Sequence, residues 1–545
     1  MRGSGPLGRL AANAGVGARR LAGRALLPRG PFWLRLRVPS PLPERPPPPL
    51  WPGRTPPFTL RQALELLEAA ARHPRVAGVA LRLEGPPGGL ARALSLRRAV
   101  AAVRAAGRPV VAWSAALGAE DGLVASAASR LYLPPSGQFQ WLGLKVDAFF
   151  VRGLLARLGL RPDVVRIGSY KGAAEPFVRD AMSPEQREQL EAWLEDAFAA
   201  VCAGVAEGRG LDAGSVRALA DAGPFSAAAA AEAGLVDDAL YPDQVEDELL
   251  RLAPQAVGRE GRPALVDAPM LLALGVTEPG LRPLLRPLPT VAYVVASGAV
   301  HRGGRGRGIG ADPYRELLGR LAEDDAVRAI VLRVDSPGGD AIASDLLFRA
   351  ARRAAARKPV VASLGDVAAS GGYFLAAGAD AILAEAATLT GSIGVVGGKL
   401  DASGLYERIG VARETLERGA RAGLLSEARG FRPDERRALR TGMEALYDLF
   451  VRRVAEGRHL EPSEVRRVAE GRVWSGAAAR ERGLVDALGG PLEAVAEARR
   501  RAGLAPEEAV RVVSLPPPVS LLARLPRPPG LLGALALRDE SAPRL

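Results

Sequence analysis

Apolar residues in this chain gather in short continuous runs rather than strict alternation. Arg75-Val-Ala-Gly-Val-Ala-Leu-Arg-Leu-Glu84 carries one such run and leads into Gly85-Pro-Pro-Gly-Gly89. Ala326-Val-Arg-Ala-Ile-Val-Leu-Arg-Val-Asp335 carries another and leads into Ser336-Pro-Gly-Gly339. Each reads as a buried strand, a glycine turn and then a helical pattern. Gly107-Arg-Pro-Val-Val-Ala112 and Arg357-Lys-Pro-Val-Val-Ala362 supply a further buried strand apiece. Runs this apolar suit strands covered on both faces, and strands alternating with helices predict parallel βαβ units. The expected fold class is therefore α/β.

These matches form an internal repeat. Gly234-Leu-Val-Asp237 and Gly483-Leu-Val-Asp486 close it, each after an alanine-rich helix. The first copy begins at the strand-like Phe32-Trp-Leu-Arg-Leu-Arg-Val38 and the second at Thr290-Val-Ala-Tyr-Val-Val295. The expected domains are 31–270 and 290–500, joined by a proline-rich linker at 271–289. A basic leader (1–30) precedes them and a tail (501–545) follows, with little structure expected beyond about residue 512. The proline-dense stretch 39–57 reads as a loop. Arg302-Gly-Gly-Arg-Gly-Arg-Gly308 has the glycines of a phosphate loop without its strand-to-helix setting, so it reads as a mobile loop.

Composition narrows the classes. The 545 residues are 48% hydrophobic and 24% charged, as in a globular protein with a sizeable core. The single cysteine, Cys202, excludes an internal disulfide framework, and three scattered histidines argue against a zinc site. No metal or other cofactor is expected. The net charge of +13 favours anionic surfaces, although an arginine-biased composition accounts for it with no partner. No aromatic-basic cluster points to nucleic acid. No apolar run reaches the roughly 20 residues of a membrane span. The leader is basic, lacks acidic residues, and reads either as an amphipathic helix on an anionic membrane or as a disordered tail.

Only four of the 73 basic residues are lysines: Lys145, Lys171, Lys358 and Lys399. Arginine keeps its proton, whereas a desolvated lysine can lose one and act as a base. Val367-Ala-Ala-Ser-Gly-Gly-Tyr373 suits acyl transfer, because small neighbours let the chain turn sharply and expose the Ser370 hydroxyl at a helix N-terminus. Gly338 or Gly339 of the earlier turn offers a second N–H donor. Aligned without a gap from Pro109 and Pro359, Ser370 falls opposite Glu120; further on, Lys171 falls opposite Ala422. Each copy keeps what the other lacks, as expected of one composite Ser/Lys site. A serine hydroxyl needs a base, and none of the histidines lies in a glycine-rich or turn motif near Ser370. Lys358 matches Arg108, so a permanent cation serves there. Lys145 and Lys399 match each other, each two residues before an aspartate, and read as structural pairs with Asp147 and Asp401. Lys399 remains the rival base.

Ser336-Pro-Gly-Gly339, Ala369-Ser-Gly-Gly-Tyr-Phe374, Thr390-Gly-Ser-Ile-Gly-Val395 and Gly168-Ser-Tyr-Lys-Gly-Ala-Ala-Glu-Pro-Phe177 together resemble signal peptide peptidase A, in its long two-repeat form, over about residues 31–500. The resemblance implies a tandem of two Clp/crotonase-like domains and a serine endopeptidase that degrades cleaved signal peptides. It implies Ser370 as nucleophile and Lys171 as general base, with Gly338, Gly339 and Gly371 in the segments of an oxyanion hole. It also implies a homo-oligomer, tetrameric in the long form, at the bacterial inner membrane. The N-terminal transmembrane anchor usual in long members of that family is not seen in this sequence. The expectation is therefore peripheral membrane contact through the basic leader, a true start that lies elsewhere, or work in another compartment such as the cytoplasm. Two other functions fit the fold: an acyl-CoA enzyme stabilising an enolate, and a non-catalytic membrane-associated scaffold.

Overall fold

The computed structural model describes residues 6–45, 58–278, 288–303 and 308–516. The leader forms helix α1 (Pro6–Leu26), one of its two expected forms. The first repeat is built on a six-stranded parallel sheet. Its strands are β1 (Phe32–Val38), β2 (Val76–Leu83), β3 (Val110–Trp113), β4 (Arg130–Leu133), β6 (Asp238–Ala239) and β7 (Leu265–Asp267), in the order β7-β1-β2-β3-β4-β6. Strand β5 (Arg161–Ile167) lies outside this sheet. Helices α2 (Leu60–Arg72), α3 (Leu90–Ala105), α4 (Ala119–Ser126) and α5 (Pro184–Arg209) accompany these strands.

The second repeat follows the same plan. Strands β8 (Thr290–Ser297), β9 (Val327–Ser336), β10 (Val360–Ala369), β11 (Ala381–Ala384) and β12 (Leu389–Gly391) belong to its sheet, and β13 (Val395–Asp401) leaves it. Strands β14 (Val473–Ser475), β15 (Ala487–Leu488) and β16 (Arg511–Leu515) complete the sheet, which is parallel except where β14 meets β12. Helix α6 (Ala341–Ala355) corresponds to α3, α7 (Gly371–Ala376) to α4, and α8 (Pro433–Arg458) to α5. Strands β8 to β10 are buried on both faces, as their continuous apolar runs require.

Two expectations change. The tail is ordered through β16, because Val512-Val-Ser-Leu515 pairs in parallel with β8; residues 517–545 lie outside the described residues. The pairing of Lys399 with Asp401 does not form, since Asp401 takes Arg161 at 2.8 Å and Lys399 donates to Leu424 O at 2.9 Å. The matching pair, Lys145 with Asp147, does form at 2.8 Å. Residues 304–307 of the expected mobile loop also lie outside the described residues, as do 46–57 of the proline-dense loop and 279–287 of the linker.

Two contacts between repeats position the site. Strand β5 pairs antiparallel with β13 over its whole length, Ile167 opposite Val395 and Arg161 opposite Asp401. An ionic cluster locks the other side. Arg333, fully buried, donates to Glu44 Oε1 (2.7 Å), Ser363 Oγ (3.1 Å) and Leu364 O (2.6 Å). Arg92 of α3 donates to Asp335 Oδ2 (2.7 Å) and Gly88 O (2.6 Å), and lies 3.2 Å from Asp366. Burial opposes the charge on Glu44, but Arg333 and Arg92 outweigh it and hold its pKa below the ordinary carboxylate range. At Asp366 burial wins over Arg92 and lifts the pKa to about 6. Removing one member of such a buried pair costs about 3–5 kcal/mol, because the partner charge is left unmatched.

Candidate active site

Ser370 stands where β10 ends and α7 begins, with φ +53° and ψ −119°. A non-glycine residue there stores about 1–3 kcal/mol of strain, so the surroundings must hold it. They do so on both sides. The Ser370 N–H donates to Gly391 O (2.8 Å) in β12, and its carbonyl accepts from Phe374 N (2.8 Å) in α7. The Tyr373 hydroxyl then ties α7 to Leu484 O at 2.8 Å.

Lys171 comes from the other repeat. It follows β5, and the loop that carries it is fastened to the second repeat by Tyr170 N donating to Glu470 O (2.8 Å). Gly471 faces it at φ +77°, and a Cβ there would stand 2.6 Å from the Lys171 backbone nitrogen. Only glycine permits that approach. The β5–β13 pairing and this clasp bring Lys171 Nζ to 3.0 Å from Ser370 Oγ. Nζ also donates to Ser392 O (2.8 Å) and Ser392 Oγ (2.9 Å). Lys171 is buried, and burial alone pulls its pKa down to about 8.

No carboxylate opposes that shift. Glu175, the nearest acid along the chain, accepts from Ser183 N (3.0 Å), Ser183 Oγ (2.5 Å) and Arg166 (3.2 Å) instead. A neutral lysine amine has two N–H bonds and one lone pair. With both N–H bonds directed at Ser392, the lone pair remains for the Ser370 hydroxyl proton. The arrangement can abstract that proton.

The three glycines named from the sequence converge on Ser370. A Cβ on Gly338 would fall 2.7 Å from both Gly371 N and Ser370 Cβ, and one on Gly371 would fall 3.2 Å from Gly339 N. The Gly338 N–H donates to Ser336 Oγ (3.1 Å). Among the described residues, the N–H groups of Gly339 and Gly371 have no acceptor within the protein.

The other lysines lie elsewhere. Lys399 sits over the Phe431 ring at 4.6 Å, and Lys358 donates to the carbonyls of Leu321 (3.1 Å) and Asp324. Ser392 is the site residue that sequence reasoning missed as an individual. Its motif, Thr390-Gly-Ser-Ile-Gly394, had been noted only as part of a pattern. Its φ of +55°, unusual outside glycine, marks a second turn held under strain.

The sequence model of peptidase family S49 matches residues 102–255 and again 352–505. The chain is 34% identical over 444 residues to "Serine protease SPPA, chloroplastic" of Arabidopsis thaliana, covering 80% of this chain and 65% of that protein. It is 31% identical to "Protease 4" of Salmonella typhi, covering 72% of this chain and 63% of the relative. It is 30% identical to "Protease 4" of Haemophilus influenzae, covering 79% and 71%. The chain thus spans a little under two thirds of the length of the first two relatives. Two family matches, one on each repeat, together with identity over most of the chain, make it a member of peptidase family S49.

Proposed function

We propose that this chain is a serine endopeptidase with a Ser/Lys dyad, acting on apolar peptides such as the remnants of cleaved signal peptides. Its working unit is the pair of repeats, 31–270 and 290–500. The observation that carries the reading is the 3.0 Å approach of a buried, carboxylate-free Lys171 amine to the strained Ser370 hydroxyl. Neutral Lys171 takes the Ser370 proton as Oγ bonds to the scissile carbonyl carbon. The resulting oxyanion accepts from the N–H groups of Gly339 and Gly371, while Gly338 lets the two segments close on each other. Lys171 then gives its proton to the departing amine, and the acyl-enzyme is released by a water that Lys171 deprotonates in turn. An acyl-CoA reaction through an enolate needs the amide pair but gives no role to the lysine–serine contact.

Two features support assembly and membrane contact as part of this reading. Leu154, Leu158, Ile409 and Val411 are exposed where the two repeats meet, at the close approach of Gly159 to Gly404. Such a face suits packing against further copies of the chain in a homo-oligomer, which the reading takes as a tetramer. Helix α1 exposes Leu21 and Leu26 in an arginine-rich segment without acidic residues, which suits peripheral binding to anionic lipid. No helix among the described residues is long and apolar enough to cross a membrane.

The test is hydrolysis of an internally quenched apolar peptide by the wild type and by Ser370→Ala. The reading predicts loss of turnover to background in the variant with its fold retained. Wild-type turnover by Ser370→Ala would overturn it.

A further inference from the structure

The first repeat has an open cleft at the place where the second repeat has its dyad. Residues 113–121 align without a gap on 363–371, so the stretch ending at Glu120 and Asp121 corresponds to that ending at Ser370 and Gly371. In the structure this stretch lines a cavity of about 700 Å³ together with Leu83, Pro86 and Leu144. That volume is in the range of a site for a small ligand or a few peptide residues. The walls are mostly apolar, with Trp113, Leu117 and the exposed Ala116 among them.

The cleft has been closed to catalysis by its own side chain. Glu120 Oε2 accepts from both Gly88 N (3.0 Å) and Gly89 N (2.9 Å), the counterparts of Gly338 and Gly339. A carboxylate therefore already occupies the N–H of Gly89, the counterpart of the Gly339 donor that an oxyanion would need. Position 120 has no hydroxyl, and the lysine of this repeat is committed to Ser370. What remains is the binding half of a peptidase site.

Charge indicates the ligand. The titratable residues lining the cleft are Arg82, Glu84, Glu120 and Asp121. Asp121 is buried and accepts from Gly118 N (2.7 Å), while Arg82 lies over the Trp113 ring at 5.1 Å. The mouth thus sets the carboxylates Glu84 and Glu120 against one guanidinium, on a chain whose net charge is +13. A locally acidic, apolar cleft on a basic protein is complementary to an apolar peptide carrying positive charge.

We propose that the first-repeat cleft is a second, non-catalytic peptide site that holds a cationic apolar peptide. The inference rests on the peptidase reading only for the class of ligand. Arg92 links the glycine turn behind the cleft to the segment that leads into the Ser336-Pro-Gly-Gly339 turn. It donates to Gly88 O on one side and to Asp335 on the other, and Asp335 immediately precedes the Ser336-Pro-Gly-Gly339 turn.

The probe is a short Leu/Ala-rich peptide with arginines at its N-terminus, a fluorophore, and a central benzoylphenylalanine for photo-crosslinking. It is titrated onto the full chain after Ser370 has been blocked with a fluorophosphonate, and onto unblocked Ser370→Ala. The blocked protein is expected to keep one bound peptide per chain, with crosslinks in residues 83–86 and 113–117. Ser370→Ala is expected to bind two. Ala116→Arg, which places a long cation in the cleft at an exposed position, removes the site that survives blocking. Glu84→Lys weakens it by roughly three- to fivefold, the size of an exposed ion pair, and leaves a peptide without arginines unaffected. Complete loss of binding on blocking, or crosslinks confined to the surroundings of Ser370, would overturn the proposal. Should Ser370 resist the fluorophosphonate, the peptidase reading fails by itself, and crosslinks on the unmodified chain still decide for or against the cleft.

Discussion

Raising the pH from about 6 to about 9 converts Lys171 from ammonium to amine, and the rate of Ser370 acylation should follow that conversion. With a pKa of about 8 set by burial, roughly one chain in a hundred carries the neutral amine at pH 6 and about half do at pH 8. The second-order rate constant for phosphonylation of Ser370 by a fluorophosphonate should therefore climb about 50-fold over that interval and level off above about pH 9. Measuring kcat/KM for a quenched peptide over the same range should give the same inflection. Glu175→Gln should leave the inflection in place, because Glu175 is held by Ser183 and Arg166 and adds nothing to the Lys171 shift. A rate independent of pH across this range, or an inflection near the ordinary lysine value of about 10.4, would refute the reasoning. The first result would remove lysine as the base, and the second would remove burial as the means of tuning it.

Three further outcomes follow from the same geometry. Ser392→Ala removes one of the two acceptors that orient the Lys171 amine, so kcat should fall about fivefold, the worth of roughly 1 kcal/mol of hydrogen bonding, with KM little changed. Gly471→Ala puts a methyl 2.6 Å from the Lys171 backbone and forces the lysine loop away; kcat should fall by about two orders of magnitude, with circular dichroism unchanged. Lys171→Met should stabilise the fold at pH 7. A lysine whose folded pKa lies at about 8 rather than near 10.5 destabilises the native state below pH 8, by about 3 kcal/mol. That cost disappears as pH rises from about 8 to about 10.5, so the gain in denaturation midpoint should fade over this window. A lower midpoint in the methionine variant at pH 7 would contradict the assigned burial.

Much of this arrangement was legible in the sequence because the repeat exposes it. Continuous apolar runs mark buried parallel strands whatever the partners are, and β1, β2, β8 and β9 fall where those runs predict. The complementary loss of serine and lysine pointed to a shared site because only proximity explains it. The means of bringing them together was not legible. The β5–β13 pairing is made by backbone groups between segments more than 200 residues apart, and neither Arg161-Pro-Asp-Val-Val-Arg-Ile167 nor Val395-Val-Gly-Gly398 carries a local sign of its partner. Asp401 was read as a partner for Lys399 on sequence spacing, and the two do share a face of β13, but Arg161 stands directly across the strands from Asp401 and claimed it, while Lys399 donates to Leu424 O. Ser392 escaped because a serine in a glycine-rich turn has the same sequence signature whether it supports a lysine or merely closes the turn. Glu120 was seen as the loss of a nucleophile. Its use as an acceptor for Gly88 and Gly89 depends on a side-chain direction that spacing does not encode.

The central claim is that a lysine from one repeat activates a serine from the other. Fluorophosphonate labelling followed by peptide mapping tests it most directly, on the wild type, Lys171→Met and Lys399→Met at about pH 8. The label should map to Ser370 in the wild type and in Lys399→Met, and labelling of Lys171→Met should slow by at least about a hundredfold. Wild-type labelling of Lys171→Met, or a label on any residue other than Ser370, would contradict the account.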